Sequence, residues 1–108
     1  MGAATTNQGR RLRGNSRALG AMTADQLLEQ AGAVVRHRRR TYGQPRDLFE
    51  RVAARWSQVL GVRVSARQVA VCLIDVKVAR LTHDPGHLDS IVDLAGYAAI
   101  LAELAPDA

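Results

Sequence analysis

Apolar residues recur three and four positions apart through almost the whole span from Leu27 to Ala102, and the pattern breaks clearly at only three places. That period is the signature of amphipathic helices, and it leaves no segment alternating as a half-buried strand would. The breaks are Tyr42-Gly43-Gln44-Pro45, Gly61 with Val62-Arg63-Val64, and Asp84-Pro85-Gly86. Glycine permits a positive φ, and proline disfavours helix before it while suiting a first turn. Three breaks divide the pattern into four helices, expected at about 24–37, 45–60, 66–82 and 90–104.

The helix starts are marked as well. Thr23-Ala24-Asp25-Gln26 and Ser65-Ala66-Arg67-Gln68 both have capping-box form, in which hydroxyl and amide side chains satisfy free N–H groups at a helix start. Asp89 or Ser90 is expected to cap the fourth helix, and Pro106 to end it. The run Val69 to Ile74 is apolar on every side and rich in Val and Ile, so a strand is the alternative there. Its length and the continuing Val76, Val78, Ala79 and Leu81 favour a helix. That third helix is expected to be the most buried, with Cys72 packed inside as a small hydrophobe. With only four aromatic residues in the chain, Ala, Val and Leu must fill the core, which suits close-packed helices. The fold class expected is therefore all-α, a compact antiparallel bundle over residues 21–108.

The net charge of +5 is concentrated rather than spread. Arg10, Arg11, Arg13 and Arg17 face no acid in residues 1–20, whereas the other 88 residues hold 11 basic and 10 acidic side chains. The first twenty residues, rich in Gly, Thr, Asn and Arg and without a period, are expected to form a disordered basic tail. Met22 follows directly as a second candidate start. A further basic cluster comprises Arg36, Arg38, Arg39 and Arg40. It is expected mainly to solvate a helix end, although together with Tyr42 it could contact phosphates, and nucleic acid is expected to meet the chain only non-specifically, through the tail.

Several classes fall away. One cysteine makes no internal disulfide, no segment is apolar enough for a membrane span, and there is no secretory h-region, so a cytoplasmic protein is expected. No phosphate-binding glycine loop, zinc pattern or Ser-His-Asp spacing occurs, and His83 and His87 around a short turn are a poor metal pair.

Charged groups on otherwise apolar helices are the candidates for chemistry, because a buried charge is costly unless it is paired or lines a cleft. Asp75, Lys77 and Arg80 interrupt the third helix. Asp89 and Asp93, four apart on the fourth, share a face with Tyr97 and could hold Mg²⁺ through carboxylate oxygens. The same spacing, Ser90-x-x-Asp93, also fits a helix cap.

Five blocks carry a family resemblance: Tyr42-Gly43-x-Pro45; Phe49; Ala54-x-Trp56-Ser57; Lys77-Val78-Ala79-Arg80; and Asp89-Ser90-x-Val92-Asp93-x-Ala95-Gly96-Tyr97-Ala98. Over about residues 24–104 they resemble a family of small phage and prophage proteins of unknown function. That family is in turn distantly similar to the all-α MazG-like nucleotide pyrophosphohydrolases, which hold Mg²⁺ between helices with acidic motifs and cleave nucleoside triphosphates to monophosphates. The resemblance implies that Asp93 takes the last acid of the second motif, with Ser90 in place of the Glu before it, and that Glu29 stands in for the first motif. His37 and Gln44 occupy positions where acids are expected in relatives.

Together these readings name Tyr42, Gly43, Lys77, Arg80 and Tyr97 as ligand-binding residues and Asp89, Asp93 and Glu29 as metal ligands. The function they imply is a nucleotide-binding MazG-like domain, at most a weak Mg²⁺-dependent pyrophosphohydrolase, that pairs as a homodimer. The alternative is a non-catalytic accessory protein that binds a protein partner or sequesters a small nucleotide.

Overall fold

The computed structural model describes residues 21–106, together with the backbone of two dipeptides, Asn7–Gln8 and Arg10–Arg11, joined by a short parallel bridge. The expectation of a disordered tail over residues 1–20 otherwise lies outside the described residues.

Within residues 21–106 the regular elements are four helices: α1 Ala24–Tyr42, α2 Pro45–Leu60, α3 Ala66–His83 and α4 Leu88–Glu103. Both capping boxes form. The Gln26 N–H donates to Thr23 Oγ1 at 3.1 Å, and the Thr23 N–H donates to Gln26 Oε1 at 2.9 Å. Ser65 and Gln68 repeat the same distances at the start of α3. Pro45 opens α2, and Gly61 closes it with φ 74°, the left-handed conformation that relieves a helix end.

Two boundaries differ from expectation by more than one residue. α1 runs five residues past position 37, winding the whole arginine cluster into helix, because straight-chain arginines propagate a helix without needing an apolar partner. α4 begins two residues early and is capped by neither Asp89 nor Ser90. His87 is the cap, its Nδ1 accepting the Ser90 N–H at 3.3 Å and lying 2.7 Å from Ser90 Oγ.

α4 touches all three other helices; its main partner is α3, with α1 on its other side, while α2 packs chiefly on α3. The core lies where these meet. Phe49, Ala53, Ala66, Val69, Ala70 and Leu104 are buried, with Leu73, Tyr97, Ile100 and Leu101 packed around them. Burying a side chain such as Val69 contributes about 1.5–3 kcal/mol, so a core built on Val, Ala and Leu needs its one buried phenylalanine. Gly96 faces α1, and a Cβ there would meet Val35 Cγ2 at an ordinary 3.6 Å.

α3 corrects the expectation most plainly. It is apolar all round but covered on one side only: Val71 is 46% exposed, Val76 52% and Val78 45%. Cys72 is exposed as well, not packed inside. α2 and α4 occupy one side of the helix, and no other helix among the described residues covers the other.

Candidate functional site

The apolar stripe of α1, Ala31, Val34 and Val35, runs on into Arg38 and Tyr42, each placed three or four residues after the last. Gly43 then turns the chain with φ 88° and ψ −169°, a region essentially reserved for glycine, and Pro45 starts α2 beside the end of α1. Opposite stands α4, with Val92, Asp93, Gly96, Tyr97 and Ile100. A cleft results between the end of α1, the start of α2 and the middle of α4.

The cleft has two chambers. The larger, about 170 Å³, is lined by Arg38, Tyr42, Gly43, Leu48, Phe49, Val52, Leu73 and Tyr97 among others. The smaller, about 70 Å³, adds Asp93, Val92 and Gly96, and the two share Arg38, Pro45, Tyr97 and Ile100 as common walls. Phe49 and Tyr97 form a tilted aromatic pair, with centroids 6.5 Å apart and planes at 55°. An apolar chamber with aromatic walls and a few polar groups is the usual build of a small-molecule site.

Its electrostatics are simple. Asp93 Oδ2 lies 3.0 Å from Lys77 Nζ, joining α4 to α3 in a half-buried ion pair. Arg39 Nη2 donates to Glu103 Oε2 at 2.6 Å, tying the last turn of α1 to the end of α4. Arg38, between them, has no ion-pair partner among the described residues. Its guanidinium is therefore free to meet an anion with up to five donors.

Of the residues singled out in the sequence, Tyr42, Gly43 and Tyr97 come together in the larger chamber. Asp93 lines the smaller one, with Lys77 attached to it. Arg80, Asp89 and Glu29 do not join them: all three are exposed, and none makes an ion pair among the described residues. Arg38 was missed. It belonged to a cluster assigned mainly to solvent and only as a whole to phosphate contact, yet its spacing from Val34, Val35 and Tyr42 puts it on the inward stripe.

The carboxylates do not fit a Mg²⁺ centre as they stand. Mg²⁺ demands near-octahedral oxygen ligation. Asp93 already has the ammonium of Lys77 against it, and among the described residues no three His, Cys, Asp or Glu side chains gather closely enough to hold an ion.

Fold and cleft thus define a class: a small helical-bundle protein with an aromatic-walled cleft and, on its wall, an arginine that has no ion-pair partner among the described residues. The chain belongs to the family described as a domain of unknown function, DUF6378, which matches residues 26–105. It is similar to the gene 55 protein of Mycobacterium phage L5, 37% identical over 68 residues that cover 62% of this chain and 44% of that one. It is also similar to the gene 55 protein of Mycobacterium phage D29, 36% identical over 76 residues, 69% of this chain and 50% of the relative. The chain spans about half the length of the curated relatives it matches. No solved structure matches it significantly. These findings agree with the resemblance to phage proteins of unknown function. In addition, among the described residues no helix is long and apolar enough to cross a membrane.

Proposed function

We propose that the cleft binds a nucleotide or a similar small phosphorylated heterocycle, as in a MazG-like domain that holds its ligand without hydrolysing it. The carrying observation is the convergence of Tyr42, Gly43, Phe49 and Tyr97 on one chamber with Arg38 in its wall. The aromatic walls offer a planar base large contact area at low entropy cost. Arg38, itself exposed to solvent, offers the phosphate a bidentate partner. Gly43 lets the backbone pass close to the ligand without a side chain in the way. The ion pair of Asp93 with Lys77 favours binding over turnover, because it takes up the one acid on the cleft wall. The exposed apolar residues of α3 support the paired state that goes with the same resemblance, and sedimentation velocity tests it.

The binding test is calorimetry on the full chain with nucleoside mono-, di- and triphosphates, with and without Mg²⁺, followed by chromatography of the nucleotide. Binding should be saturable and independent of metal, and the nucleotide should be recovered intact. Arg38→Gln should weaken it about 10- to 100-fold, the range for a hydrogen bond to a charged group. No heat with any nucleotide would remove the proposal. Mg²⁺-dependent turnover would restore Asp93, Asp89 and Glu29 as metal ligands, and with them the pyrophosphohydrolase.

A further inference from the structure

The end of α2 and the start of α3 meet over an open groove that shares no lining residue with the cleft. It measures about 490 Å³, and Trp56, Leu60, Val62, Val71, Cys72 and Leu101 give it an apolar wall. Leu60 and Val62 are each 62% exposed and Val71 46%, so exposed apolar side chains gather on one patch instead of standing singly. Arg63 and Arg67 border the groove and no acid does; neither arginine has an ion-pair partner among the described residues. Their placement runs against local preference. Arg67 lies in the first turn of α3, which holds no acid, and Arg63 stands two residues before the Ser65 cap. The positive end of a helix dipole disfavours both. Gln68, also on the wall, is engaged in the capping box, where it accepts the Ser65 N–H. Among the described residues nothing offsets two cations set at the wrong end of a helix beside an apolar groove.

We propose that this groove docks an amphipathic helix of a partner protein, with acidic side chains bordering that helix's apolar face. Charge complementarity carries the choice of partner. The groove offers apolar contact and two guanidiniums, and a helix with leucine-like residues three and four apart, flanked by Asp or Glu, matches both. Trp56 supplies the kind of aromatic anchor on which such interfaces concentrate their energy. The wall is set in advance, because Ser57 Oγ accepts the Val64 N–H and holds the link between α2 and α3 in place. Two nearer occupants fit worse. The chain's own first twenty residues carry Arg10, Arg11, Arg13 and Arg17 and no acid, so Arg63 and Arg67 repel them. A second copy in a twofold contact sets the patch against itself, arginines included. Val76 and Val78 lie outside the groove, so pairing through that part of α3 leaves it open.

The test is fluorescence anisotropy of the full chain with a labelled helical peptide of about 18 residues, its leucines three and four apart with glutamates beside them. A twin peptide carries lysine in place of every glutamate. The glutamate peptide should bind saturably and about tenfold more tightly than its twin, with the difference shrinking as KCl rises. Arg63→Glu with Arg67→Glu should reverse that ranking, and the fold tolerates it because an acid in the first turn of α3 suits the dipole. Leu60→Gln with Val62→Gln should weaken the glutamate peptide about tenfold with little change in melting temperature, since both side chains are exposed already. Arg38→Gln should leave peptide binding unchanged while weakening nucleotide binding in the cleft, so the two proposals fail separately. No binding of the glutamate peptide, or equal binding of both peptides, overturns the proposal. So does loss of the glutamate preference when Arg10, Arg11, Arg13 and Arg17 are replaced by Gln, if the groove variants keep it. Sedimentation velocity gives the groove to a second copy if Leu60→Gln with Val62→Gln turns dimers into monomers. Binding to phosphatidylserine vesicles that leaves both peptides free gives it to a membrane surface. Either result overturns the docking of a helix.

Discussion

The two joints beside α2 are built in opposite ways. Between α2 and α3 the chain is tied by side chains: Ser57 Oγ donates to the Ala53 carbonyl at 2.7 Å and accepts the Val64 N–H at 2.8 Å, and the Ser65 box follows at once. Between α1 and α2 no side chain caps the incoming helix, and the turn rests on the backbone: the conformation of Gly43, the fixed φ of Pro45 and main-chain hydrogen bonds. The tied joint leads straight into the core residue Ala66. The untied joint frames the cleft and ends at the exposed Tyr42. Side-chain ties occupy space and polar groups, so a ligand site is best built where the turn is held by stereochemistry.

The contrast can be broken or sharpened by substitution, read as the change in melting temperature. At this size about 1 kcal/mol moves it by roughly 4–8 °C. The largest effect is expected from Gly43→Ala, which forces a Cβ into a glycine-only region at a cost of about 2–3 kcal/mol. If Ala is tolerated there, backbone stereochemistry is not what holds the joint. Ser57→Ala should cost somewhat less, about 1.5–2 kcal/mol, by leaving the half-buried Val64 N–H without its partner. A loss below half that would mean the second joint is held by packing. Gln44→Asp should work in the other direction, adding a missing cap to α2 and stabilising by about 1 kcal/mol; no gain would show that the joint is capped already. The smallest change is expected from Gly61→Asn, a few tenths of a kcal/mol, since asparagine accepts the left-handed conformation at φ 74°. A large loss there would make both joints depend on glycine and remove the distinction.

Much of this fold could be read directly. The bounds of α2, both capping boxes and the turn at Asp84-Pro85-Gly86 each follow from local rules that act within a few residues, and the structure keeps them. What could not be read depends on geometry between helices. Nothing in Val69–Ile74 says that only one side of α3 will find a partner, because the sequence there is apolar in every direction. The cap at His87 escaped because an imidazole that accepts an N–H looks like any other histidine in sequence. At the site, Tyr42, Gly43 and Tyr97 were recoverable from the family blocks. Asp93 was also recoverable, but its pairing with Lys77 was not, since the two lie sixteen residues apart on different helices. Arg38 was hidden by its neighbours: inside a run of arginines, charge masks the three-and-four spacing that an isolated residue would have shown.

The open groove beside the tied joint brings Trp56 and Cys72 together along one wall, and these are the sole tryptophan and the sole cysteine of the chain. The molecule therefore carries its own optical reporter. A single thiol-reactive dye on the exposed Cys72 would attach at one defined place, with one indole donor close by, and energy transfer between them would follow the relative motion of α2 and α3 with no engineered residues.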